Sequence, residues 1–302
     1  MEIGFIGLGR MGRNMVMRLL SEGHRVAAYD KITASVDEVA GKGAKSAVSP
    51  ADMAKSLKKP AIIWLMVPAG KIVDDVIFQD LSPHLSAGDI VIDGGNSHYK
   101  DSQRRALSLK ERGVFFLDVG TSGGLEGAAS GASLTIGGDK EAFERTSPVF
   151  ESLAAPGGYG YVGESGAGHF VKMVHNAIEY VLLQAYGEGF EFLEKSPCPL
   201  DLAQVARIWN NGGVIRSWVL ELAERALEKD PRLTTLRGAV GGGETGSWAV
   251  QAALERDVPL PMTSLALALR MRSRQEDSFA SKVVAALRKE FGGHEVKQTK
   301  DK

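Results

Sequence analysis

The sequence predicts an α/β fold, with a Rossmann-type doubly wound sheet over residues 1–165 and an all-helical domain over residues 166–302. Three observations carry this. Short β-rich runs alternate with helical segments up to residue 120, a G-x-G-x-x-G run directly follows the first strand, and strand signal stops from residue 167 onward, after GESGAG.

The β-rich runs are EIGFI, RVAAYD, PAIIWLMV, DIVIDGG and VFFLDV. Segments of helical character lie between them, including RNMVMRLLSEG and SQRRALSLKERG, so the strands are expected to be parallel and joined by crossover helices. SLTIGG and YGYVG read as two further strands flanking a helix at residues 140 to 153. Phe170, Met173, Val174, Ala177, Val181 and Leu182 keep helical spacing, which predicts a long helix packed on its apolar side. The polar tail VKQTKDK is expected to fray.

At 302 residues the chain is long enough for two domains and a sizeable core. Its 36 basic and 37 acidic residues nearly cancel, which gives no global electrostatic reason to expect nucleic acid or a membrane as partner. Any anion site must be local. No apolar run reaches the roughly 20 residues that span a bilayer, and MEIGFIGLGR opens on a strand and glycines instead of a signal peptide. The single cysteine, Cys198 in SPCPL, rules out an internal disulfide or a cysteine-rich metal site and fits a reducing, cytoplasmic protein.

GLGRMG, residues 7–12, carries the dinucleotide spacing. Gly7 serves the tight turn, Gly9 the approach of a pyrophosphate and Gly12 the close packing of helix on strand; Leu8 and Met11 lie in the same loop. The second strand ends in Asp30, where an acid binds the adenine ribose hydroxyls. A carboxylate there repels a 2′-phosphate and favours NAD, with NADP as the weaker coenzyme; Lys31 beside it works against that preference.

In KMVHNAIEY, residues 172–180, Lys172, His175, Asn176 and Glu179 fall within a sector of about 100° on a helix of about 3.6 residues per turn, with Tyr180 at its margin. By spacing alone this is either a solvated face or a site holding a base and an acid together.

Taken together, GLGRMGRN, MVPAG (66–70), DGGNSHYKDSQRR (93–105), GTSGGLEGA (120–128), KMVHNAIEY and RKEFGGH (288–294) resemble 6-phosphogluconate dehydrogenase (decarboxylating), within the β-hydroxyacid dehydrogenase group. The length is similar to that of the compact, NAD-preferring branch. The resemblance implies oxidation of 6-phosphogluconate at carbon 3, loss of carbon dioxide and protonation of an enediol to ribulose 5-phosphate, as in the pentose phosphate pathway. It makes Lys172 the base and Glu179 the acid. His175 and Asn176 are substrate ligands, Ser122, Gly123 and Gly124 hold the substrate carboxylate, and Asn96 reaches both cofactor and substrate. Val67 joins the cofactor site. Tyr180 and Arg270 are phosphate ligands, and Arg288 and His294 come from the neighbouring subunit of a homodimer or dimer of dimers with shared active sites. No metal is implied. One departure stands out: where longer enzymes carry Lys-Gly-Thr-Gly-Lys-Trp, this chain has Gly243-Glu244-Thr245-Gly246-Ser247-Trp248, without either lysine or the Arg that the short branch places before the Trp. Arg216 in VIRSW is a further candidate ligand or a snorkelling helix residue. The alternatives are a non-decarboxylating dehydrogenase of a smaller β-hydroxyacid and a non-catalytic NAD-binding protein.

Overall fold

The computed structural model describes residues 1–297. They form two compact units, Met1–His175 and the residues from Asn176 onward.

The first unit is built on one eight-stranded sheet. Its strands are β1 (Glu2–Ile6), β2 (Arg25–Tyr29), β3 (Lys45–Ser46), β4 (Ile62–Leu65), β5 (Ile90–Asp93), β6 (Phe115–Ser122), β7 (Ala132–Gly138) and β8 (Ala154–Gly163). Their order is β3-β2-β1-β4-β5-β6-β7-β8. All pairs from β3 to β6 are parallel, β7 runs antiparallel to β6, and β8 is parallel to β7. The link between β6 and β7 holds only the short helix Gly124–Ser130, too little chain to cross back along the sheet, so β7 turns round where it stands.

Both faces are covered, as a parallel sheet requires. Phe5, Trp64, Ile92 and Leu117 enter one core while Ile6, Leu65, Val91 and Phe116 enter the other, following the alternation of strand side chains. Trp64 stacks on Phe5 with ring centroids 6.1 Å apart and meets Phe150 at 5.9 Å. Burying a side chain such as Phe5 or Phe150 contributes about 1.5–3 kcal/mol. The two-residue β3 escaped the sequence reading, since it is too short to show any period.

Composition changes at residue 165, whereas the first compact unit keeps ten more residues, the opening turns of the helix Ala167–Glu194. Glycines allow this. A Cβ on Gly168 would stand 2.2 Å from the Asp118 carbonyl oxygen, and one on Gly120 would stand 2.4 Å from Cβ of Lys172. The helix therefore starts in direct backbone contact with β6 and β7.

That helix corrects one expectation. Met173, Ala177 and Tyr180 are buried, but Val174, Ile178 and Leu182 are 40%, 57% and 39% exposed. Apolar residues spread over more than one side of the helix, and helical period alone does not say which side is covered.

Among its described residues the second unit holds helices joined by turns and loops, and no strand. After the remainder of the long helix come Leu202–Asn210, Trp218–Lys229, Glu244–Leu254, Pro261–Arg272 and Phe279–Gly292. Asp201, Ser217 and Ser278 cap three of these through side-chain oxygens that accept from Gln204, Leu220 and Ser281 N–H. Phe279–Gly292 ends on Gly293 in the left-handed region, a glycine stop. None of the residues of this last helix is buried.

Candidate active site

Five of the loops that the sequence marked leave the sheet at the carboxyl ends of β1, β2, β4, β5 and β6, the edge at which open α/β sheets bind ligands.

At the end of β1, Gly7 has φ +99°, and a Cβ there would stand 2.3 Å from the Met66 carbonyl oxygen, so only glycine fits. A Cβ on Gly12 would stand 2.0 Å from the Gly7 carbonyl oxygen, which is how closely the helix Arg10–Ser21 sits on the strand. Gly9, by contrast, has nothing within 4 Å of a Cβ position: its backbone faces open space at a helix N-terminus. The Leu8 side chain is buried in the core and Met11 packs against it, so what these two offer a ligand is mainly backbone. Asp30 does more than the sequence indicated. Its Oδ2 accepts the Leu8 N–H at 2.6 Å and its Oδ1 accepts the Ile32 N–H at 2.8 Å, which ties the glycine loop to β2. The carboxylate stays partly exposed, with lone pairs left for a ribose.

At the end of β5, Asp93 is fully buried and organises the loop that carries the exposed Asn96. Its oxygens accept from Gly95 N–H at 3.1 Å and from the Ser97 hydroxyl at 2.7 Å, and face Arg105 at 3.2 Å. The fully buried Arg105 also meets Asp74 at 2.8 Å and donates to the Gly70 carbonyl at 3.1 Å, which fastens the MVPAG loop with Val67 to the same frame. Burial would raise the Asp74 pKa; hydrogen bonds and charge from Arg105 and Arg104 outweigh it and hold the carboxyl below its usual range. Neither Asp93 nor Arg105 was named as functional by sequence, although both lie in DGGNSHYKDSQRR.

At the end of β6, Ser122, Gly123 and Gly124 turn into the short helix with φ of +114° and +59° at the two glycines. Nothing lies within 4 Å of a Gly124 Cβ position. The Ser122 hydroxyl is 3.1 Å from Nε2 of His175, and Lys172 Nζ is 3.4 Å from Nδ1 of the same ring. When the lysine donates to Nδ1, Nε2 carries the proton and donates to Ser122 Oγ. Lys172, His175 and Ser122 thus form one hydrogen-bonded chain.

In the second unit, Tyr180 is buried and its hydroxyl lies 3.3 Å from Oγ1 of Thr245. The Arg270 guanidinium stands 3.7 Å above the Tyr180 ring and donates to the Gly241 carbonyl at 3.4 Å. A Cβ on Gly246 would stand 2.6 Å from that ring. The stretch around Trp248 that lacks lysines therefore supplies Thr245 and Gly246 to the Tyr180–Arg270 pair, which the spacing alone did not reveal. Ser247 donates to the Gly243 carbonyl at 3.1 Å and takes the place of a cation with a helix-internal bond. Asn176 and Glu179 are partly exposed on the long helix, and Arg288 and His294 are exposed at the chain's last described helix and just beyond it. Arg216 is exposed in the turn before Ser217.

The NAD binding domain of 6-phosphogluconate dehydrogenase matches residues 2–166, and the C-terminal domain of 6-phosphogluconate dehydrogenase matches residues 168–302. The chain belongs to the 6-phosphogluconate dehydrogenase family. It is 49% identical to the NAD(+)-dependent, decarboxylating 6-phosphogluconate dehydrogenase of Haloferax volcanii, over all of both chains. Among solved structures it is similar to 6-phosphogluconate dehydrogenase of Plasmodium falciparum, with TM-score 0.83 and 30% identity, covering 100% of this chain and 67% of that one. A 3-hydroxyisobutyrate dehydrogenase of Mycobacterium tuberculosis shares the fold, with TM-score 0.73 and 22% identity over 95% of this chain and 99% of that one. Within the 6-phosphogluconate dehydrogenase family, then, this chain sets its dinucleotide loop, the Asn96 loop and the lysine–histidine–serine chain on one sheet edge.

Proposed function

We propose that this protein catalyses the oxidative decarboxylation of 6-phosphogluconate to ribulose 5-phosphate and carbon dioxide with reduction of NAD. The observation that carries this reading is the Lys172–His175–Ser122 chain beside the Ser122–Gly124 turn, in a member of the 6-phosphogluconate dehydrogenase family.

The cofactor loop fits NAD: Gly9 leaves open space for a pyrophosphate, and Asp30 lies one strand away with acceptor capacity for ribose hydroxyls. When bound, NAD supplies the acceptor for the hydride that leaves carbon 3. Lys172, in its neutral form, takes the proton of the carbon 3 hydroxyl, and His175 keeps its amine in register. The resulting ammonium then polarises the carbon 3 carbonyl, so the electrons of the breaking carboxyl bond are accepted there and carbon dioxide leaves. Glu179 donates the proton that carbon 1 of the enediol needs. Ser122 and the backbone N–H groups of Gly123 and Gly124 hold the carboxylate, while Asn96 orients the hydroxyl toward the cofactor. His175 and Asn176 bind substrate hydroxyls. Tyr180 and Arg270 take the phosphate, for which a planar guanidinium already oriented over a ring is suited.

The assembly is a homodimer or dimer of dimers in the cytoplasm, with Arg288 and His294 entering a neighbour's site. Supporting this, the helix Phe279–Gly292 buries none of its residues and leaves Phe279 79% and Phe291 77% exposed, an apolar surface that a second copy would cover. Among the described residues, no helix is long and apolar enough to cross a membrane.

Ser247, in place of a cation next to Trp248, favours a second reading, a smaller unphosphorylated β-hydroxyacid as substrate. Following NADH absorbance together with carbon dioxide release on 6-phosphogluconate, gluconate and 3-hydroxy acids tests both. Turnover of 6-phosphogluconate with one carbon dioxide per NADH is expected; NADH without carbon dioxide, or turnover confined to the small acids, would overturn the first reading.

A further inference from the structure

The start of the long helix holds a buried imidazole that the reaction does not use. His169 is almost fully buried, and every polar atom of its ring has a partner. Nε2 lies 3.1 Å from the Gly95 carbonyl oxygen, which only accepts, so Nε2 carries the proton. In the neutral ring Nδ1 is then bare and accepts from the Ser102 hydroxyl at 2.7 Å, with Ser102 itself fully buried on the helix Tyr99–Lys110. The backbone behind the ring is equally fixed. Asp118, fully buried on β6, accepts the His169 N–H at 2.9 Å and the Gly166 N–H at 2.7 Å, and Thr135 on β7 donates to the Gly168 carbonyl at 3.0 Å.

The ring therefore joins the long helix to the Gly95–Asn96 loop, two segments that carry proposed chemistry. Gly95 precedes Asn96 directly, and Lys172 lies one helical turn beyond His169. We propose that His169 is a positioning residue: its Nε2–H bond to the Gly95 carbonyl sets the distance between the Asn96 amide and the Lys172 amine, and so the alignment of the substrate hydroxyl between them. Displacing a reacting group by about 1 Å costs up to about 100-fold in rate. A bond that fixes this spacing should therefore act on kcat more than on binding.

This role rests on the reading of Lys172 and Asn96 as substrate-facing groups, and the test separates the two. His169→Gln places an amide N–H near the Nε2 position and keeps the bond to Gly95 while losing the acceptor for Ser102; His169→Asn keeps an acceptor near Nδ1 and loses the bond to Gly95. Each forfeits one buried hydrogen bond, so a purely structural histidine would give both variants the same loss of Tm and the same loss of activity. The expected result is a similar fall in Tm for both, kcat of the Gln variant within about threefold of wild type, and kcat of the Asn variant lower by about 10- to 100-fold, a larger change than in either KM. Equal kcat in the two variants, or kcat that follows Tm, would overturn the role. Ser102→Ala, which leaves the Gly95 bond in place, should stay within a few-fold of wild type; a loss as large as that of the Asn variant would also overturn it. If the histidine variants do not fold, ¹⁵N NMR of the wild-type ring decides: a neutral ring protonated on Nε2 supports the bridge, and one protonated on Nδ1 excludes the Gly95 bond. Should the wild type oxidise a 3-hydroxy acid and not 6-phosphogluconate, the proposed function fails while the comparison of variants, made on that acid, still stands.

Discussion

Asp30 shows how much a single carboxylate can carry. Its two oxygens accept backbone N–H groups of Leu8 and Ile32, so it shapes the glycine loop before any ligand arrives. Asp30→Ala should therefore have two separable effects: a narrower preference for NAD over NADP, read as the ratio of kcat/KM values, and a stability loss of about 1–3 kcal/mol from orphaned loop donors, read by urea unfolding. An unchanged unfolding midpoint would show that the loop holds its shape without Asp30. Glu179 is a different case, since its proposed role is a proton transfer. Glu179→Gln keeps shape and hydrogen-bonding capacity but removes the proton, and kcat should fall by about 10²–10⁴-fold with cofactor affinity intact. Wild-type turnover in the folded variant would remove Glu179 from the acid role.

Between elements, the Arg105 network joins the helix Tyr99–Lys110 to Asp93 at the end of β5, to Asp74 and to Gly70. Arg105→Met would leave Asp93 buried without its counter-charge, a loss of about 3–5 kcal/mol. Chemical denaturation should register it, and a change under 1 kcal/mol would mean that the Asp93 bonds to Gly95 and Ser97 suffice. The same network sets an acid limit. The Asp74 pKa lies lower in the folded protein than its ordinary value of 3.8. Below that value the unfolded chain takes up the proton first, so the stabilisation is complete above the ordinary pKa and is lost as pH falls toward the folded one. In a Tm-against-pH series from neutral into acid, Asp74→Asn should start less stable and lose less on acidification; parallel curves would contradict the assignment.

Over the whole molecule, Val174, Ile178 and Leu182 on the long helix and the helix Phe279–Gly292 leave apolar surface exposed. If Arg288 and His294 serve a neighbour's site, inactive Lys172→Ala and inactive Arg288→Ala/His294→Ala proteins should complement when unfolded and refolded together. Random pairing restores roughly a quarter of wild-type activity, because about half the dimers are mixed and each has one intact site of two. Mixed dimers without activity would confine the tail to its own chain's site or to none.

The sequence by itself determined the dinucleotide loop, the crossover sheet, the change to helices and the family motifs, because each is written in residues close together: glycines at fixed offsets, strand and helix periods, a run of polar residues on one helical face. Only the tertiary structure decided what depends on distant pairing. His169 meets Gly95 across 74 positions of chain, Tyr180 meets Thr245 across 65, and Arg105 meets Gly70 across 35. The covered stripe of the long helix belongs to the same class. A periodic pattern states that a helix has apolar sides, but which side loses water is set by whatever packs against it, and local spacing carries no record of that.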